Sequence, residues 1–184
     1  MKYTINICGL QRDLPLCPIS DTLMIGAFIM FGDTELTEHC ATELLKIAPA
    51  EYDVIMTAES KGIPLTCSMA RLSGKYRYVL ARKSVKLYMS DVIKTEVQSI
   101  TTQGMQTLYL NGDDVTYLKG KKVLLVDDVI STGASLTAME NLVRMAGGEV
   151  VGKMAVLAEG DAIAREDILS LAPLPLFHSD GSPL

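Results

Sequence analysis

The stretch VLLVDDVISTGAS, Val123 to Ser135, sets four apolar residues in a row and then breaks the run with two adjacent carboxylates, Asp127 and Asp128. A short run of Val and Leu bounded by turn-forming residues reads as a strand buried on both faces. The next segment reads as a helix. In TGASLTAMENLVRMAGG, Leu136, Met139, Val143 and Ala146 fall on one face at helical spacing, and Gly147 with Gly148 supplies a left-handed stop. The spacing predicts a strand KKVLLV ending at the two aspartates, a short loop, and a helix beginning near Gly133.

The same alternation recurs on both sides. DVIMTA (Asp53 to Ala58), YRYVLA (Tyr76 to Ala81) and GEVVGKMAVLA (Gly148 to Ala158) read as strands, while LTEHCATELLKIA and IPLTCSMARLSG read as helices before the first and second of them. Strands separated in this way by helices predict an α/β fold with a parallel sheet flanked by helices. Two segments depart from the rhythm. Within Ser90 to Asp114, TEVQSITT and MQTLYLN joined by Gln103 and Gly104 read as an antiparallel flap. Residues 1 to about 35 are expected to form a small cap on the main sheet, the whole chain of 184 residues making one domain.

Composition narrows the function classes. With 48% hydrophobic and 21% charged residues the chain can bury a core. Its net charge of −5, with no basic run, argues against nucleic acid as a partner. The N-terminus lacks the apolar stretch of a signal peptide and no window approaches a membrane span, so a cytoplasmic protein is expected. Cys8, Cys17, Cys40 and Cys67 are widely spaced with no CxxC pair, and His39 and His178 complete no metal-ligand spacing with them, so reduced thiols are expected.

The carboxyl ends of parallel strands are where open α/β sheets bind ligands. The loop there offers the Ser131, Thr132 and Ser135 hydroxyls, the small residues Gly133 and Ala134, and the free N–H groups of a helix start, a set suited to a phosphate. Two carboxylates beside that nest would repel a phosphate they touched, and ribose hydroxyls are the group they suit. The stretch contains neither GxxxxGK[ST] nor GxGxxG, so a Walker loop and a dinucleotide fingerprint are both excluded.

Sugar diol plus phosphate is a ribose 5-phosphate, and VLLVDDVISTGAS resembles the 5-phosphoribosyl 1-pyrophosphate (PRPP) motif of the type I phosphoribosyltransferases. AESKGI, Ala58 to Ile63, resembles the pyrophosphate loop of adenine phosphoribosyltransferase-like members, and RKSVKLYMSD resembles the basic step that follows their third strand. The resemblance implies a PRPP site built from Glu59, Ser60, Lys61, Gly62, Arg82, Lys83, Lys86, Asp127, Asp128, Val129, Ile130, Ser131, Thr132, Gly133, Ala134 and Ser135. In it Asp127 and Asp128 hold the ribose hydroxyls and lie near Mg²⁺. Lys61 and Arg82 take up charge on the leaving pyrophosphate, and Glu159 could face the base. A flap that closes over the site and a homodimer are implied as well.

The implied reaction is transfer of ribose 5-phosphate from PRPP to a purine, adenine-type first. A xanthine enzyme is the alternative, because Thr101 stands in SITTQ where adenine enzymes usually carry a flap Glu. A PRPP-sensing regulator without catalysis is a further alternative. Ser131, in the place where hypoxanthine-guanine enzymes carry an Asp, makes those a poor match, and the adenine-like ESKG loop disfavours a pyrimidine enzyme.

Overall fold

A computed structural model describes residues 1–99 and 104–184. In chain order the elements are β1 (Lys2–Ile7), β2 (Leu10–Pro18), β3 (Leu23–Gly26), α1 (Thr34–Ile47), β4 (Val54–Ala58), α2 (Ile63–Leu72), β5 (Val79–Ala81), β6 (Ile93–Ser99), β7 (Gly104–Leu110), α3 (Gly112–Leu118), β8 (Lys122–Ile130), α4 (Ala134–Met145) and β9 (Glu149–Glu159). A 3₁₀ turn, Gly160–Ala164, leads to β10 (Leu169–Leu174) and β11 (Phe177–His178).

Five strands form the expected parallel sheet, in the order β10-β9-β8-β4-β5. The four apolar residues in a row are explained by its two faces. Val123 and Leu125 pack with Met139 and Val143 of α4, while Leu124 and Val126 pack with Leu44 of α1 and Leu65 of α2. All four expose no surface, which contributes roughly 1.5–3 kcal/mol each. Within α4, Leu136, Met139, Val143 and Ala146 are buried as the spacing predicts, and Gly147 takes the left-handed conformation at φ 77°.

The sheet's winding decides where a ligand can sit. From β4 the chain crosses through α2 to β5 on one side, and from β8 it crosses through α4 to β9 on the other. The strand order therefore reverses between β4 and β8, and a crevice opens beyond their carboxyl ends. The segments Glu59–Gly62 and Asp127–Ser135 lie at that crevice.

Several boundaries differ from expectation. β8 does not stop at the aspartates but runs to Ile130, with Asp127 opposite Ala155 and Ile130 opposite Ala158. The reason is its neighbour: β9 is 11 residues long and offers a ladder past the acids. β5 is only Val79–Ala81, not the whole of YRYVLA. The antiparallel flap is present, with Ile93 opposite Leu110 and Ser99 opposite Gly104, but it ends at Leu110. Residues from Gly112 instead start α3, and Gly104 lies in a strand. Gln103 and Thr101 lie outside the described residues.

The cap is not purely N-terminal. β1, β2 and β3 form an antiparallel sheet whose last strand is β11, from the far end of the chain. Phe177 is fully buried there, its ring 4.9 Å from that of Tyr3. β10 and β11 carry no alternation strong enough to be read in advance, since Pro173 and Pro175 interrupt their pattern. Among the described residues no helix is long and apolar enough to cross a membrane.

Candidate active site

The acid pair sits in the pleat of β8 and is nearly fully buried, Asp127 at 7% and Asp128 at 4% exposure. Asp127 Oδ1 accepts from Ser60 Oγ at 2.8 Å and from the Asp128 amide at 2.9 Å. Burial, reinforced by the neighbouring Asp128, pushes the Asp127 carboxyl well above the usual range. Asp128 Oδ2 is buried without a hydrogen-bond partner among the described residues. Lys61 Nζ stands 3.4 Å from that oxygen, an ion-pair distance without hydrogen-bond geometry. A buried carboxylate oxygen left open in this way can accept from a hydroxyl that enters the crevice.

The β4 loop meets the pair directly. Ser60 Oγ bonds Asp127 and also accepts from the Gly62 amide at 3.1 Å, which folds the loop back over β8. Gly62 has φ −72°, which any residue can adopt, so conformational freedom is not what requires glycine here. Space is what requires it. A Cβ at Gly62 would stand 3.0 Å from Asp127 Oδ1, 3.1 Å from Thr57 Oγ1 and 3.2 Å from the Asp128 amide. Lys61 reaches across to the cap, donating to the Phe28 carbonyl at 2.6 Å.

The basic cluster has a partner inside the chain. Glu59 lies 3.3 Å from Arg82 Nη1 and 3.5 Å from Lys86 Nζ, and it accepts from the Lys83 amide at 2.9 Å. That amide bond, with the charges of Lys86 and Arg82, holds the Glu59 carboxyl below its usual range. Arg82 also donates to the Tyr88 hydroxyl at 2.5 Å, and its backbone exchanges two 2.8 Å bonds with Tyr109 of the flap.

After β8, Ser131 to Ser135 wrap a cavity of about 140 Å³ together with Asp127, Val129, Ile130, Leu136 and Gln106. Gly133 is left-handed at φ 78° and no side chain caps α4, so the amides of its first turn face the cavity end unpaired. Ser135 Oγ donates to Gln106 Oε1 at 3.0 Å and joins the loop to the flap. Glu159, at the end of β9, is held above its usual range by burial, which the charge of Lys61 opposes.

Ser60, Lys61 and Gly62 thus meet Asp127 and Asp128, and Glu59 gathers Arg82, Lys83 and Lys86. Sequence reasoning missed Gln106, Tyr88, Thr57 and the Phe28 carbonyl. Gln106 carried a signal: it shares a face with Leu108 and Leu110, both buried, a polar residue at the outer end of an apolar alternation. A backbone carbonyl has no side-chain signature.

Comparison with known proteins agrees with this geometry. The Phosphoribosyl transferase domain family matches residues 34–170. A hypoxanthine/guanine phosphoribosyltransferase from Methanococcus maripaludis is 33% identical over 159 residues, 83% of this chain and 82% of that protein. The adenine phosphoribosyltransferase of Thermoanaerobacter pseudethanolicus superposes with a TM-score of 0.66 at 25% identity, over 77% of this chain and 82% of that one. The adenine phosphoribosyltransferase of Rhodothermus marinus gives 0.67 at 23% identity over 94% of each chain. With the paired acids, the uncapped loop and the β4 turn all at one crevice, this chain belongs to the phosphoribosyl transferase domain family.

Proposed function

We propose that the protein transfers ribose 5-phosphate from PRPP to a purine base, and that the base is a 6-oxopurine of the hypoxanthine and guanine type. The observation that carries the transfer reaction is the meeting of the buried acid pair with the Ser131–Ser135 loop and the Glu59–Gly62 turn at one crevice. The open Asp128 oxygen accepts a ribose hydroxyl, the uncapped amides of α4 receive the 5-phosphate, and Arg82 and Lys86 face the diphosphate. Departure of pyrophosphate leaves positive charge at the sugar's anomeric carbon, and carboxylates on the diol side stabilise it.

The family implies Mg²⁺. The donor chemistry fits a hard cation, since Asp128 keeps a buried oxygen without a partner. Among the described residues no group of three acidic, His or Cys side chains encloses an ion, so Asp127 and Asp128 would hold one chiefly through water and substrate oxygens. Bound there, Mg²⁺ offsets diphosphate charge.

For the base, Lys61 donates to the Phe28 carbonyl of the cap, and Glu159 stands at the end of β9 with its carboxyl held above its usual range by burial. A donor and an acceptor can complement the O6 and N1–H edge of a 6-oxopurine and, in the opposite order, the N6 and N1 edge of adenine, so the relatives decide the choice. The Methanococcus relative, named for hypoxanthine and guanine, supports this choice, and the adenine enzymes among the structural neighbours support the alternative. Ser131, which counts against hypoxanthine and guanine in the sequence, is outweighed in this proposal by the Methanococcus relative's name.

The test is to incubate protein, Mg²⁺ and PRPP separately with hypoxanthine, guanine, xanthine, adenine, orotate and uracil and to measure nucleotide formed. Hypoxanthine or guanine should give the highest kcat/KM. A higher value for adenine overturns the base assignment, and no product with any base, while PRPP binds, leaves the regulator reading.

A homodimer and a cytoplasmic location belong to the same proposal. Tyr76, Val85, Leu87 and Tyr88 are exposed around β5 and its following loop, a patch that a second copy would cover. The mass in solution should be twice 20.0 kDa, and a monomer at working concentration removes the dimer. The free thiols support a reducing compartment.

A further inference from the structure

We propose that Arg165 is a binding residue for the 5-phosphate of the substrate, an inference that rests on the reaction proposed above. Arg165 follows the 3₁₀ turn after β9, and neither the loop motif nor the basic cluster includes it. Its guanidinium rests on the phosphate loop: a Cβ built at Gly133 would stand only 2.4 Å from Arg165 Nη1. Glycine at position 133 therefore serves two needs, the left-handed φ of 78° and room for this cation.

The guanidinium is held in place by a chain of charges. Nε and Nη2 donate to the two carboxylate oxygens of Asp167 at 2.9 and 2.8 Å. Asp167 is bonded in turn by Lys153 at 2.9 Å, and Lys153 pairs with Glu140 of α4, the helix that carries the loop. Two of the three guanidinium nitrogens are thereby used. Nη1, the one against Gly133, makes no hydrogen bond among the described residues.

Charge accounting points the same way. Ser131 to Ser135 contains no Lys or Arg, and the two nearest charged residues in the sequence are Asp127 and Asp128. Lys61 faces Asp128, and Arg82 and Lys86 face Glu59. A phosphate dianion at the start of α4 would meet two carboxylates with only partial dipole charges to offset them. Arg165 sets a full positive charge against Gly133 at the edge of that cavity, and its Nη1, unpaired among the described residues, is a donor for a phosphate oxygen.

The experiment measures binding of ribose 5-phosphate and of pyrophosphate by titration calorimetry, and KM for PRPP and for the base, in wild type, Arg165→Ala and Arg165→Lys. Arg165→Ala should weaken ribose 5-phosphate binding and raise the PRPP KM by about 10- to 100-fold. Pyrophosphate affinity and the KM of the base should stay within about twofold, which a general loosening of the fold would not allow. Arg165→Lys keeps the charge but loses the paired contact with Asp167, so it should fall between, and it decides the matter if the alanine variant fails to fold. Unchanged ribose 5-phosphate affinity in a folded variant overturns the role of Arg165 alone. Failure of the wild type to bind ribose 5-phosphate or PRPP overturns the proposed reaction, and this inference with it.

Discussion

Asp127→Asn should lower turnover by about 10²–10³-fold while the protein folds at least as well as the wild type at neutral pH. The amide keeps the oxygen that accepts from Ser60 and from the Asp128 amide, so the loop geometry survives. What is lost is the carboxyl's capacity to ionise beside the ribose and the developing cation, which burial disfavours until that positive charge arrives. The stability half rests on the raised carboxyl of Asp127. Between the unfolded value near 3.8 and the raised folded value, the native state binds more protons than the unfolded one. Stability from this group therefore falls as pH rises through that window. Asparagine removes the buried charge, so the variant's melting temperature should lose this part of its decline with pH. Asp128→Asn should cost a comparable factor in turnover. Steady-state rates at saturating substrates, with melting curves from pH 4 to 9, check both halves, and wild-type turnover in either variant would falsify the assignment of the acid pair.

Phe177→Ala should be the most destabilising single change in the cap, by about 3–5 kcal/mol. The side chain exposes no surface, packs on the Tyr3 ring, and comes within 3.5 Å of a Cβ built at Gly26 of β3. Its strand pairs with β3 through Phe177 opposite Met24 and His178 opposite Leu23. Truncation leaves a cavity at the seam that ties the chain's last residues to its first. Because the cap supplies the Phe28 carbonyl to Lys61, base affinity should weaken in the variant more than PRPP affinity. Denaturant unfolding gives the first number and separate titrations of the two ligands the second. A loss below about 1 kcal/mol would show that the cap is held by other contacts.

The parallel sheet and the Ser131–Ser135 turn at its carboxyl edge were legible because their residues answer to local rules. Val123 to Val126 must be buried on both faces, and the apolar face of α4 repeats at helical spacing. The extent of β8 was not legible, since its last residues are held by the ladder of β9 and not by their own apolar character. The closing strands of the chain were hidden for a similar reason: β10 and β11 are short, interrupted by proline, and defined by partners distant in sequence. In the site, Ser60, Lys61 and Gly62 could be named from their order, but their contacts could not. Glu59 as the partner of Arg82 and Lys86, Gln106 beside Ser135, and Lys61 turned to the cap all depend on distances between segments far apart in the chain.

The Glu59 contact bears on which anions the site admits. A cluster of Arg82, Lys83 and Lys86 with no internal partner would attract any small anion that is abundant in the cell. With Glu59 already in contact, the cluster behaves like an ion exchanger loaded with a weakly held resident ion. An incoming anion gains only the difference between its own attraction and that of the carboxylate. Chloride, with one charge and no directional lone-pair geometry, gains little by exchange, and a single inorganic phosphate gains somewhat more. A diphosphate presents several oxygens at once and could span Arg82 and Lys86 together. If the proposed reaction holds, the same carboxylate returns when pyrophosphate leaves, so release is an exchange as well.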